Sequence, residues 1–181
     1  RIFAATRVMG VVNVTPDSFY DGGRHETAEI AAAHGRRLAA EGADLLDVGG
    51  ESSRPGADPV PQEVEEARVA PVIAALVPLK LPVSVDTCHA ATARAALRLG
   101  ASMVNDITAL RGDPAMAEIV AGAGCDVVLM HMRGNPKTMQ DAPAYDDVVD
   151  DVCAFFEERL AFAAGAGIRE GEYRLPPETE I

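Results

Sequence analysis

Five apolar runs in this chain each give way abruptly to a short polar cluster, and the clusters contain the residues best suited to chemistry. After VMGVV come Asn13-Val-Thr-Pro-Asp-Ser-Phe and the turn Asp21-Gly-Gly. Asn13, Asp17 and Asp21 offer hard oxygen donors of the kind magnesium takes when it keeps several waters and shares a substrate phosphate. The second cluster is Asp47-Val-Gly-Gly-Glu51-Ser-Ser53-Arg54-Pro55-Gly. Its hydroxyl and guanidinium suit a phosphate or carboxylate, and its glycines allow close backbone approach. Asp86 in Ser-Val-Asp-Thr and Asn105 in Val-Asn-Asp-Ile place a carboxylate and an amide at two successive run ends. Together they can pair with the amino and ring-nitrogen edge of a planar heterocycle. The fifth cluster is Leu129-Met130-His131-Met-Arg-Gly.

Each cluster also has a plainer reading. Aspartates in turns cap backbone groups with their side chains. A lone Asp or Asn at a strand end is usually a turn residue, so the juxtaposition of Asp86 and Asn105 carries more weight than either alone. Asp106 reads as a residue that holds loops together, while Glu51 fits a buried structural carboxylate and a site residue equally. His131 is the general-base candidate by residue type. No carboxylate stands beside it in sequence to orient it, so a structural role is favoured. His25, His34 and His89 have no motif around them and read as surface or helix residues, as does the acidic run from Asp146 to Asp151.

The elements that must position these groups follow from the pattern of hydrophobicity. Short apolar runs at about Val8–Val14, Asp44–Val48, Pro82–Asp86, Met103–Asp106 and Asp126–Met130 read as buried strands. Ala-rich segments between them, about Thr27–Glu41, Gln62–Leu76, Ala90–Leu99, Pro114–Ala123 and Tyr145–Ala164, read as helices. Gly42, Gly100 and Gly124 fall just past helix ends, and Asp113-Pro114 looks like an N-cap with a first-turn proline. Repeated βα units predict an α/β protein with parallel strands, whose ligands gather at the C-terminal strand edge. An open doubly wound sheet loses support because no GxGxxG follows the first strand. A closed barrel needs eight units and about 250 residues. The segment from Arg169 onward is polar and proline-rich and offers no convincing sixth strand. The expectation is therefore one domain over residues 1–181, the first five units of a (β/α)8 TIM barrel.

Composition narrows the function classes. The 181 residues carry a formal net charge of −12, which disfavours nucleic acid as a partner. Three cysteines form neither a zinc pattern nor a disulfide framework, so a reducing cytoplasm is the expected home. No apolar run approaches the roughly 20 residues needed to span a bilayer, and no signal-peptide layout opens the chain.

The segment Val8–Gly23 closely resembles the first signature of dihydropteroate synthases, and the other clusters follow in that family's order as far as Ile168. The resemblance implies a pterin-binding TIM barrel that joins 6-hydroxymethyl-7,8-dihydropterin diphosphate to p-aminobenzoate in folate biosynthesis. Sulfonamides would compete with the aminobenzoate, and the complete enzyme would be a homodimer. In that family Asn13 would contact magnesium and the diphosphate, with Asp17 and Asp21 organising the loop beside the metal. Phe19 would line the aminobenzoate pocket. Ser53 would contact diphosphate, and Arg54 and Pro55 would shape the aminobenzoate site. Asp86 and Asn105 would read the pterin, with Ile107 as an apolar wall and Met130 packed on the ring face.

The family continues with an Asp-Pro-Gly strand and a later lysine and arginine–histidine pair, where this chain gives Tyr173-Arg-Leu-Pro-Pro. Two alternatives stay open on these grounds. One is a non-catalytic pterin-binding paralogue or a fragment. The other, ranked lower, is a pterin-dependent methyltransferase domain, a family without the Thr15–Phe19 and Ser53–Pro55 pair.

Overall fold

A computed structural model describes residues 7–15, 24–51, 59–132 and 147–174. Strands and helices alternate: β1 (Met9–Asn13), α1 (Arg24–Ala40), β2 (Leu45–Gly49), α2 (Gln62–Leu76), β3 (Val83–Asp86) and α3 (Ala90–Arg98). They continue as β4 (Met103–Asp106), α4 (Met116–Ala123), β5 (Asp126–Leu129), α5 (Val148–Gly165) and β6 (Tyr173–Arg174). The six strands form one parallel sheet in the order β1-β2-β3-β4-β5-β6. A doubly wound sheet reverses its strand order at a switch point. Here the order never reverses, so the sheet is an arc of a (β/α)8 barrel.

The β-branched runs explain the layering. Val12, Val14, Leu46, Val48, Val83, Val85, Val104, Val127 and Leu129 alternate onto one face and are buried against the helices. From the helices come Ala31, Val69, Val72, Ile73, Leu76, Ala93, Ala96, Met116 and Val120. Small residues let these layers approach closely. A Cβ at Gly35 of α1 would lie 2.7 Å from a methyl carbon of Leu76 at the α1–α2 crossing. The opposite, concave face carries a smaller apolar cluster of Met9, Leu45, Met103 and Val128. Its remaining strand positions are largely polar.

Helix ends follow local chemistry. Gly42, Gly100 and Gly124 have φ of 106°, 108° and 60°, the left-handed conformation expected of them. Within the acidic run, Asp147 caps α5: its carboxylate accepts from Val149 N at 2.9 Å and Asp150 N at 3.1 Å, while Asp150 and Asp151 lie in the first turn. This cap sets the start of the helix at Val148. Asp113 serves two elements. Its carboxylate accepts from Ala115 N at 2.9 Å, in the turn leading into α4, and from Ala90 N at 3.0 Å, the first residue of α3.

The end of the fold corrects an expectation. A sixth strand is present: Tyr173 and Arg174 pair in parallel with Val127 and Val128, and Val127 N donates to Glu172 O at 2.7 Å. Two residues without an apolar run give no pattern to detect. The strand is specified by its ladder to β5, by the buried Ile168 before it, and by an Arg169–Glu172 ion pair bracing the turn.

The shared cap yields a stability prediction. Backbone hydrogen bonds from Ala115 and Ala90 hold the Asp113 carboxyl below its ordinary range. A lowered carboxylate pKa adds stability above the unfolded value and loses it as pH falls through the folded one. Asp113→Ala should cost about 1–2 kcal/mol in urea unfolding at neutral pH, the usual size of a lost cap. That difference should shrink on acidification.

Candidate functional site

The register of the sheet assembles the site. Asn13 pairs with Gly49, Gly49 with Asp86, and Asp86 with Asn105. Four strand ends therefore lie in one row, and their side chains share the concave face. Gly49 is the low point of that row. A Cβ there would sit 3.3 Å from Asp86 Oδ2 and 3.6 Å from Asn13 Oδ1, so the missing side chain leaves a notch flanked by an amide and a carboxylate. Asn13 is exposed, whereas Asp86 and Asn105 are half-buried.

Beneath the row lies Asp47, a residue singled out in the sequence only as the start of a motif. It is 4% exposed, and its Oδ2 accepts from Asn105 Nδ2 at 3.0 Å. β2 and β4 are alternate strands, and side chains from alternate strands share a layer in a barrel interior. The bond fixes the Asn105 amide and leaves its oxygen as the acceptor. Burial raises the Asp47 carboxyl, and the neighbouring Ser84 hydroxyl and the hydrogen bond from Asn105 partly offset that. A sequence signal existed: on a strand buried throughout, Asp47 shares a face with Gly49.

Among the described residues, no cation balances Asp86. Burial first, then the charges of Asp47, Glu65, Asp106 and Glu51, push its carboxyl well above the ordinary range. Asp106, fully buried on the helix side, ties down the turn after β4, as expected. Its Oδ1 accepts from Thr108 N at 2.8 Å and Thr108 Oγ1 at 2.7 Å, and its Oδ2 accepts from Leu110 N at 2.9 Å. Those bonds hold Ala109 and Leu110 at φ of 51° and 63°, where side chains are rarely tolerated. Ile107 opens this turn and Met130 follows β5; both are half-buried. By strand alternation Met130 falls on the concave side, one residue beyond the outward Leu129.

His131 takes the structural role. It is 3% exposed, with its ring edge-on to Phe155 at 4.8 Å, and so is packed against α5 rather than at the notch. His34 lies on α1 beside Arg37, as read from sequence. His89 does not fit the surface-or-helix reading. It occupies the N-cap position of α3, and its Nδ1 lies 2.9 Å from Oε2 of the buried Glu65. That oxygen also accepts from Thr87 Oγ1 at 2.7 Å. Glu51 accepts from Val60 N at 3.3 Å, and Arg68 donates to Gly50 O at 2.8 Å, anchoring the end of β2 to the α2 side. Asp17, Phe19, Asp21, Ser53, Arg54, Pro55 and the side chain of His25 lie outside the described residues.

Comparison with known proteins decides the lineage. The profile of the pterin binding enzyme family matches residues 9–175. The chain belongs to that family. Dihydropteroate synthase of Escherichia coli strain K12 is 46% identical over 171 residues, which is 94% of this chain and 60% of that protein. Among solved structures, Xanthomonas albilineans dihydropteroate synthase with 4-aminobenzoic acid is 55% identical, with a TM-score of 0.86 over 95% of this chain and 61% of that one. A Yersinia pestis dihydropteroate synthase in a sulfonamide complex is 43% identical, with a TM-score of 0.87 over 95% and 62%. The chain thus spans about three-fifths of the length of these relatives. As a pterin-binding-family barrel it puts its strand-end row where barrels bind ligands.

The charge crowding makes a prediction. A carboxyl raised on folding makes the folded state less stable as pH climbs from the ordinary carboxylate range through the raised value. Asp86→Asn removes that penalty. Its unfolding free energy at neutral pH should exceed that of the unsubstituted protein. The gap should close at acid pH, where Asp86 is neutral anyway. Equal stability at every pH would contradict the crowding.

Proposed function

We propose that this chain carries the pterin half of a dihydropteroate synthase site, which condenses a hydroxymethyl-dihydropterin diphosphate with p-aminobenzoate in folate biosynthesis. The observation that carries the reading is the row Asn13–Gly49–Asp86–Asn105 on a barrel arc of this family. A flat ring lowered into the notch over Gly49 meets a carboxylate and an amide at the spacing of neighbouring strands, about 4.8 Å. Asp86 and Asn105 then read the amino and ring-nitrogen edge, and Asp47 keeps the Asn105 amide in one orientation. Ile107 closes the edge of the ring site, and Met130 lies against the ring face through its polarizable sulfur.

The chemistry asks for leaving-group stabilisation more than for a base. The amine of p-aminobenzoate is already nucleophilic at neutral pH, while diphosphate develops charge as it departs. Its attack on the pterin's exocyclic methylene forms the C–N bond, releases diphosphate and frees the amine proton to solvent. Packing His131 against Phe155 is compatible with that scheme. Asn13 fits a magnesium contact: its exposed oxygen stands beside the notch, and magnesium needs few protein donors when phosphate and water supply the rest. There the ion would neutralise the diphosphate. Ser53 and Arg54 would hold the same group, with Asp17 and Asp21 beside the metal, and Phe19 and Pro55 would border the aminobenzoate. The relatives seen with 4-aminobenzoic acid and a sulfonamide support those two classes as substrate and competitor. We assign the reaction to the cytoplasm, on the cysteine usage, and to a homodimer, on the family resemblance.

Titration with a pterin analogue, with and without magnesium diphosphate, beside a turnover assay with p-aminobenzoate, tests the reading. Binding should be saturable and strengthened by magnesium diphosphate. Asp86→Ala should lower pterin affinity at least about 100-fold, in line with two lost charge-assisted hydrogen bonds, while the protein stays folded. Pterin affinity unchanged in Asp86→Ala would refute the assignment. Binding without product would favour a non-catalytic pterin-binding protein.

A further inference from the structure

Behind the strand-end row lies a second group of chemically capable side chains, none of which the proposed reaction uses. Glu51 follows β2, Glu65 lies in α2 and His89 precedes α3. One donor atom from each, a carboxylate oxygen from the two glutamates and a ring nitrogen from His89, lies within 4.8 Å of the other two. Glu65 is 1% exposed and His89 and Glu51 are half-buried, so the cluster is an interior feature with one open side.

We propose that Glu51, Glu65 and His89 form a binding site for a divalent first-row transition-metal ion of the zinc type. Two carboxylate oxygens and one imidazole nitrogen are a borderline-hard donor set that such ions accept, with water filling the open position. In the tetrahedral arrangement of zinc, metal–donor bonds of about 2.1 Å place neighbouring donors roughly 3.4 Å apart. Side-chain shifts on the order of an ångström therefore bring this set to coordinating distance. Between His89 Nδ1 and Glu65 Oε2, 2.9 Å apart, a proton now does the bridging. The ion displaces that proton, as metal binding to a protonated ligand requires.

Two independent features favour a cation here. Thr87 Oγ1 donates to Glu65 Oε2 and presets one glutamate, as outer-shell partners do around metal ligands. The neighbourhood is also rich in negative charge. Glu65 and Glu51 both act on Asp86 and on the half-buried Cys88 thiol, which burial and those charges push up to about 12. Buried charges need partners, and a divalent ion supplies two positive charges at once. Cys88 contributes no donor atom to the cluster and is no ligand. The ion would staple the end of β2 to the α3 entry, next in sequence to Ser53, Arg54 and Pro55. The site has its own donors and stands whether or not the pterin reading does.

The test uses the intact protein, stripped with a chelator and titrated with Co2+, a visible-spectrum stand-in for zinc. One equivalent should bind and give d–d bands without a thiolate charge-transfer band, and excess Mg2+ should not displace it. Glu51→Gln and His89→Asn, at half-buried positions, should each weaken Co2+ binding on the order of 100-fold while Cys88→Ser leaves it unchanged. Absence of stoichiometric Co2+ binding would overturn the site, as would affinities within about twofold of the original in both ligand variants. Should a ligand variant fail to fold, the spectrum of the unsubstituted protein decides: thiolate bands or a Mg2+-displaceable signal count against the site.

Discussion

A slip of one residue in the ladder between β2 and β3 would carry Asp86 from the concave face to the helix-packed face, because side chains alternate with a period of two. The valines alternating with the polar positions forbid that slip. Val83 and Val85 are buried against the helices, and moving them inward would expose them while driving Ser84 and Asp86 into an apolar layer. The same holds for β4, where Val104 locks Asn105 onto the concave side. Core packing thus fixes the site, and the polar row is what the hydrophobic register leaves on the other face.

That arrangement sets a cost as well as a geometry. Asp47, Asp86, Glu51, Glu65 and Asp106 stand near one another, and among the described residues their partners are mostly neutral donors: Asn105, Thr87, Thr108 and backbone N–H groups. Hydrogen bonding satisfies several of the oxygens, though not Asp47 Oδ1, and does not cancel the summed charge. A surface that attracts cations and hydrogen-bond donors is the counterpart of that destabilisation. The trade between binding and stability is common at sites of this kind.

Much of this was legible in the sequence because it is local. Strand runs, glycine caps and the polar residues at run ends are set by neighbours a few positions away, and α2 spans the segment Gln62–Leu76 that its pattern marks. Asp86 and Asn105 stood out because two polar residues recur at the same point of successive units. What was missed depends on distance along the chain. The Asn105–Asp47 bond joins residues 58 positions apart, and the His89–Glu65 contact joins residues 24 apart. No local pattern encodes either. β6 escaped notice because two residues carry no periodicity, and its existence rests on the edge that β5 offers.

The central claim is that Asp86 and Asn105, side by side in one strand row, act on the same ligand. A double-mutant cycle on pterin affinity measures this directly, using Asp86→Ala, Asn105→Ala and the pair, with calorimetry as the readout. Residues that grip one rigid ring should show a coupling of about 0.5–3 kcal/mol, because loss of either lets the ring shift away from the other. Strictly additive losses, or a double variant that binds pterin as tightly as the unsubstituted protein, would contradict the account.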